Sequence, residues 1–469
     1  MHKSKMLVFL RHLQPKDLGL FADFLASPYF VKDEKLLLFY TAIRKYAPEF
    51  DSPNLEKDRF IKKGIPGLDL DDKKLSYLMS DLVEMGEQFL KTEKLLEKEL
   101  EGYCTLLSVY NEWESDKLYE QTLRKAQKHL DQSKYRNPDF FYQEYLLQSE
   151  INAFFDKQKK RALDMSLQQA ANYLDLYYLS IKLKYSCELI NRQKLVAADY
   201  ELRMLREVKT HIEENDYTEY PTIMIYYRVL MTFLENDNHS HFDSLKELLA
   251  QHTSVFPSNE ARDLYAYAQN YCIRKANAGQ EAFLRELYML YRNSIDEGLV
   301  ITDGHISPWA YKNIISVATR VKETTWAESF AKEYKNQLHP KFRNNAYNYN
   351  MAYLQFARAD YGKSLAALNQ VEFTDVFYAL DSRTLQIKVY YELEETDALF
   401  SALEAFKVYL RRNKTISENV RNIYMNFVKF MKRLISIAPS DQDKRHKLSE
   451  KIKETGQVAD IRWLLSKLQ

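Results

Sequence analysis

Two short clusters in this 469-residue chain hold side chains of the kind that coordinate metals. ENDNHSHFD places His239 and His241 two residues apart beside Asp237 and Asp243, supplying imidazole and carboxylate donors that zinc accepts. Two histidines at i and i+2 still need ligands from elsewhere, and Asp and Asn at such a point also cap helices, so a structural role is expected. DGHISPW sets Asp303 and His305 in the longest apparent connection between repeating helical units, roughly residues 298 to 307, where nothing supplies a third group. The patterns HExxH, GxSxG, GxxxxGK(S/T) and GxGxxG do not occur. Carboxylate pairs are frequent, but in a chain that is 28% charged they read as solvated helix faces. No catalytic, cofactor-binding or metal-ligating residue is nominated, and the chain is expected not to be an enzyme and to carry no cofactor.

The elements that position these side chains follow from composition. Hydrophobic residues make up 46%, enough for a large core. There are only 10 glycines, none between Gly102 and Gly279, and 11 prolines. Hairpins of β-strands need positive φ at their turns, so this gap argues for helices joined by short turns and an all-α fold. Cys104, Cys187 and Cys272 lie far apart without CxxC spacing and are expected as reduced thiols. The apolar run near the start breaks at Arg11 and His12, and no stretch reaches the ~18 apolar residues of a membrane span, so a cytoplasmic protein with no transmembrane segment is expected.

Beyond about residue 137, apolar positions recur at helical spacing and break at polar turns centred near 157, 192, 237, 278, 323, 359, 394 and 438. Intervals of about 35 to 45 residues fit a helical-hairpin repeat. Asn137-Pro138 and Ser307-Pro308 each set a capping side chain before a proline at the first helical position. The clearest unit is AYNYNMAYLQFARADYGKSLAALNQV, residues 346 to 371. Met351-Ala352 give a large-then-small pair in a first helix, Ala359-Asp360-Tyr361 a turn, and Ser364, Leu368 and Val371 the small, large and apolar positions of a second helix. This pattern resembles the tetratricopeptide repeat. LQIKVYYELEETDALFSALEAF repeats it 35 residues on with Glu394-Glu395-Thr396 at the turn, although Leu399 stands where the family has a small residue. The resemblance covers residues 342–412; elsewhere only the hairpin period persists.

The resemblance implies a right-handed α-solenoid of antiparallel hairpins whose first helices line a concave face. In that geometry Tyr349, Tyr353 and Phe356 face a groove, joined by Thr384, Lys388 and Tyr391 from the following unit and Asn313, Val317 and Arg320 from the preceding one. Aromatics with Asn313, Arg320 and Lys388 make a groove suited to a peptide or protein segment of acidic character. A second candidate surface is basic. Residues 405–469 carry 15 basic and 6 acidic side chains, with Arg411, Arg412, Lys414, Arg421, Lys429, Lys432 and Arg433 close together.

Residues 1–100, with 17 charges of each sign, read as an N-terminal helical domain or atypical cap. The division expected is then 101–136 as connecting helices, 137–415 as the array and 416–469 as basic capping helices. The amphipathic helix predicted over 72–96 buries Leu75, Leu78, Leu82, Met85 and Phe89. Its Lys73, Lys74, Ser76, Tyr77 and Ser80 would be the reading face of a helix-turn-helix. Against DNA stand Asp81, Glu84 and Glu87 on the same helix and the zero charge balance. The expected function is a protein-binding scaffold or adaptor; a regulator with a DNA-binding head is the alternative, and an enzyme with an unfamiliar site a third reading. Oligomeric state stays open.

Overall fold

The computed structural model describes residues 1–158, 163–196, 199–372 and 376–469. It is all-α: among the described residues there are 23 α-helices and one two-stranded hairpin. The chain divides into two compact units, Met1–Tyr178 and Leu179–Gln469. None of the described helices is long and apolar enough to cross a membrane.

The first unit comprises α1 (Lys5–His12), α2 (Pro15–Ala26), α3 (Glu34–Arg44), α4 (Lys57–Lys63), α5 (Asp72–Leu96), α6 (Glu99–Glu112), α7 (Asp116–Gln132), α8 (Pro138–Lys157) and the start of α9 (Ser166–Val196). Helix α5 starts where Asp71 accepts a hydrogen bond from the Lys74 amide. It turns Leu75, Leu82 and Phe89 into a core with Phe21, Phe24 and Tyr40, while Leu78 and Met85 are half-buried at its edge. Gly86 has a packing reason, since a Cβ there would overlap the ring of Phe9. The apolar run that ends at Arg11 and His12 forms α1, whose Met6, Leu7 and Leu10 are buried.

The second unit continues α9 and adds α10 (Leu205–Glu214), α11 (Pro221–Leu234), α12 (His239–His252), α13 (Ser258–Asn277) and α14 (Ala282–Asp296). The hairpin β1 (Ile301–Thr302) and β2 (His305–Ile306) follows. Then come α15 (Pro308–Arg320), α16 (Thr324–Glu333), α17 (Pro340–Ala357), α18 (Tyr361–Leu368), α19 (Val376–Glu392), α20 (Thr396–Arg412), α21 (Glu418–Ser436), α22 (Gln442–Thr455) and α23 (Ile461–Ser466). Consecutive helices pack in pairs, α11 on α12, α13 on α14, α15 on α16, α17 on α18 and α19 on α20. The first helices also touch one another, α11 with α13, α15 with α17 and α17 with α19.

Four of these pairs close through one backbone device. Gly279, Lys322, Ala359 and Glu394 have φ between 59° and 94°, and the next amide reaches back to a carbonyl five residues earlier. Gln280 bonds Lys275, Glu323 bonds Ala318, Asp360 bonds Gln355 and Glu395 bonds Tyr390. These are Schellman caps, three of them built without glycine, which explains how so glycine-poor a chain turns so tightly. In the α17–α18 pair, Ala352 is fully buried and the Ser364 hydroxyl donates to its carbonyl at 2.8 Å, an approach only a small side chain permits.

Two expectations change. The polar stretch near residue 192 does not turn: α9 runs unbroken from Ser166 to Val196, because Asn191-Arg192-Gln193-Lys194 contains neither glycine nor proline. The connection 298–307 is not a plain loop, since Asp303 and Gly304 both take positive φ and close the β1–β2 hairpin. The expected turn near 157 ends α8, but the residues after 158 lie outside those described.

An L-residue held left-handed costs about 1–2 kcal/mol that glycine avoids, partly offset by glycine's greater freedom when unfolded. Ala359→Gly is therefore expected to stabilise the chain by about 0.5–1 kcal/mol. Urea unfolding measures this, and unchanged or lower stability would show that the turn is not strained.

Candidate functional site

The face shared by α15, α17 and α19 is where the sequence places a groove, and its side chains fall into two groups. Around Lys388 of α19 lie Phe356 of α17 and Trp463, and Tyr391 meets the same Trp463 ring. The Lys388 side chain is only 7% exposed; its ammonium sits 4.7 Å from the centre of the Phe356 ring and bonds the Asp460 carboxylate at 2.8 Å. Asp460 precedes α23, so the acidic group on this cation belongs to the chain itself. One helical turn further, Trp463 stands edge-on to Tyr391, with ring centres 5.4 Å apart, and donates its indole N–H to Glu392 at 3.0 Å. Lys467 reaches the same Glu392 at 2.6 Å. Arg462 pairs with Glu281 at 2.9 Å and also donates to the carbonyl of Ala276 at the end of α13. Arg320, at the end of α15, keeps its side chain exposed. Desolvation, then the neighbouring Arg462 cation, hold its guanidinium below the ordinary pKa. Tyr353 is half-buried beside it.

The second group surrounds Tyr349. Its ring is buried edge-on against Tyr378, 5.4 Å between centres, and burial raises its hydroxyl well above the usual phenol range. Lys312 of α15 lies between the rings of Trp309, Tyr349 and Tyr378 and is ion-paired with Asp381 of α19. Asp381 also accepts from the Tyr424 hydroxyl of α21 at 3.2 Å. Asn313 is exposed and is not drawn into either group.

Sequence reasoning thus named Phe356, Lys388 and Tyr391, which the structure brings together, and missed Asp460, Trp463, Glu392, Lys312 and Asp381. Lys312 is separated from Asp381 by 69 residues and Lys388 from Asp460 by 72, so no local spacing announces these pairs.

The basic region divides as well. Arg421 is spent on backbone: its guanidinium donates to the carbonyls of Leu410, Asn413 and Ile416 and fastens the α20–α21 connection. Lys432 pairs with Glu404. Arg411, Arg412, Lys414, Lys429 and Arg433 are exposed.

The metal candidates serve packing and capping. His239 meets the Tyr271 hydroxyl at 2.8 Å, and His241 pairs with Glu235 at 2.9 Å. Asp237 accepts from buried Lys275 at 3.0 Å, and Asn238, not an aspartate, caps α12. His305 faces His339 edge-to-face at 5.2 Å beside a cavity of about 440 Å³, and Arg262 of α13 ties the hairpin's base through Leu299 and Ile301. On α5, Lys74 is paired with Asp69 and Asp71, and the Ser76 and Ser80 hydroxyls bond carbonyls of their own helix. Tyr77 is exposed, and Lys73 lies over its ring at 6.0 Å.

Two measurements follow from these environments. Replacing Asp381 by Asn leaves Lys312 among aromatic rings without its counter-ion and is expected to cost about 1–3 kcal/mol, most of it restored by adding Lys312→Met. Unfolding of the single and double variants checks this, and simple additivity would count against the coupling. All three cysteines are buried, with burial raising their thiols, Cys104 to about 11. Iodoacetamide at pH 8 is expected to leave the native chain unmodified and to label three sites after denaturation, because only thiolate reacts.

Comparison of the chain with protein-family models, with curated proteins and with solved structures returns no match.

Proposed function

We propose that this protein is an interaction scaffold, a right-handed solenoid of tetratricopeptide-like hairpins that holds a peptide or protein segment of acidic and aromatic character along the first helices α15, α17 and α19. The observation that carries this reading is that α19 already holds a peptide segment. Asp460 sits on Lys388, and Trp463 sits between Tyr391 and Glu392. A surface that recognises its own chain through one buried ammonium, one carboxylate and aromatic faces has the chemistry that peptide-binding grooves use. The repeating Schellman turns and the side-by-side first helices favour the solenoid. Buried thiols favour a reducing compartment such as the cytoplasm.

Display selection on the purified chain tests the reading. It is expected to enrich peptides that combine Asp or Glu with Trp or Tyr. The double variant Lys388→Gln, Tyr353→Ala is expected to lose that enrichment while keeping its helical circular dichroism. Enrichment that survives the double variant places the binding surface elsewhere; no enrichment with the parent chain removes the reading.

A further inference from the structure

Residues 457–469 combine two kinds of attachment. Val458, Leu464 and Leu468 are buried in the apolar cluster that α20, α21 and α22 share. Its polar and aromatic attachments reach the α13–α19 side, Asp460 to Lys388, Arg462 to Glu281 and Ala276, Trp463 to Tyr391 and Glu392, and Lys467 to Glu392, while the apolar cluster itself also includes Leu380 and Ile387 of α19. Helix α23 is six residues long, and two left-handed residues, Gly456 and Asp460, lead into it. Backbone groups of the segment are tied to neighbouring helices as well: the Ala459 amide donates to the Ile423 carbonyl of α21, the Asn426 side-chain amide of α21 donates to the Gln457 carbonyl, and the Arg445 guanidinium of α22 donates to the Lys467 carbonyl.

The charges left behind by this segment would not be stranded. Lys388 and Glu392 are four residues apart on α19, a spacing at which opposite charges on one helix meet. With Asp460 and Lys467 withdrawn, the ammonium and the carboxylate have each other. The same two side chains therefore support a closed arrangement, in which they bind the segment, and an open one, in which they pair.

We infer that residues 457–469 are a tethered, displaceable ligand of the α17–α19 face, and that the external partner fitting this face is a peptide with a carboxylate, a tryptophan three residues later and leucines four and eight residues later. That spacing is the one Asp460, Trp463, Leu464 and Leu468 present. The inference rests on the interaction-scaffold reading above and adds a competitor built into the chain. The carboxylate takes Lys388, the indole takes the edge between Tyr391 and Glu392, and the leucines refill the apolar cluster that the leaving segment vacates. A ligand supplying only charge would leave that cluster open to water, so all four positions are required.

The probe is a labelled synthetic peptide, QVADIRWLLSKLQ, added to the full chain. Asp460→Asn with Trp463→Ala weakens the tethered competitor, so fluorescence anisotropy is expected to show the peptide binding this variant at least tenfold more tightly than the parent chain. A peptide carrying the same two changes is expected to bind neither. Hydrogen exchange on the parent chain gives the second arm, which decides even if the variant loses helical content. Saturating peptide is expected to speed exchange across 461–468 at least fivefold and to leave α21 unchanged. Equal affinity for both chains, or exchange at 461–468 that peptide does not alter, overturns the inference. A display-selected peptide that binds through Lys388 without altering that exchange also overturns it while leaving the scaffold reading intact. Loss of the scaffold reading shows instead as no Lys388-dependent peptide at all.

Discussion

A lysine ammonium taken out of water has to be met by an anion, and at Lys388 that requirement joins three parts of the second unit. Helix α17 covers the ammonium with Phe356, α19 supplies it, and the segment before α23 brings Asp460. Leaving such a charge without an anion costs far more than the pair itself gains, so its value lies less in net stability than in requiring that a carboxylate stand beside it. The same demand is made at Lys312, which needs Asp381 among three aromatic rings, and at Lys275, which needs Asp237. Each lysine is far in sequence from its anion. These pairs therefore join parts of the chain distant in sequence, where apolar packing alone tolerates several registers.

The backbone makes those pairings reachable. A Schellman cap ends the first helix and starts the second within three residues at Lys322, Ala359 and Glu394, so each pair keeps a short, constant geometry. Small residues at the crossing, Ala352 and Ser364, let α17 and α18 approach closely. Where the pattern departs, the packing departs too: Leu399 is buried at the position Ser364 holds one unit earlier, filling space instead of permitting close approach.

Much of this is legible in sequence because it is local. Helical periodicity, the prolines after Asn137 and Ser307, and the polar turns near 323, 359 and 394 all act within a few residues, and the structure places helix starts and turns there. Polar composition alone misleads at 192, where helix-compatible residues let α9 continue. Asp303-Gly304 carries a hairpin signal that a search for metal ligands passes over. The site is less legible for the same reason. Phe356, Lys388 and Tyr391 follow from spacing within one resemblance, but the groups they meet, Asp460 and Trp463, lie about 70 residues on, in a stretch whose composition advertises only positive charge. Arg421 shows the converse. Counted among the basic residues, it is consumed by three backbone carbonyls.

The order of charges along α19 bears on what this face accepts. Positive Lys388 precedes negative Glu392 by one turn, and the segment answers with Asp460, then the indole N–H of Trp463 and the ammonium of Lys467. Sliding the segment one turn forward would set Asp460 against Glu392, two carboxylates facing each other, and would withdraw Asp460 from Lys388. Reversing its direction would bring Lys467 onto Lys388. Both arrangements put like charges together where water screens them less, so repulsion disfavours them as well as attraction favouring the observed one. An apolar strip of equal area would bind with no such discrimination. The buried ammonium and its neighbouring carboxylate thus give the α19 face a direction and a register for residues 457–469, the property that the proposed scaffold role would require.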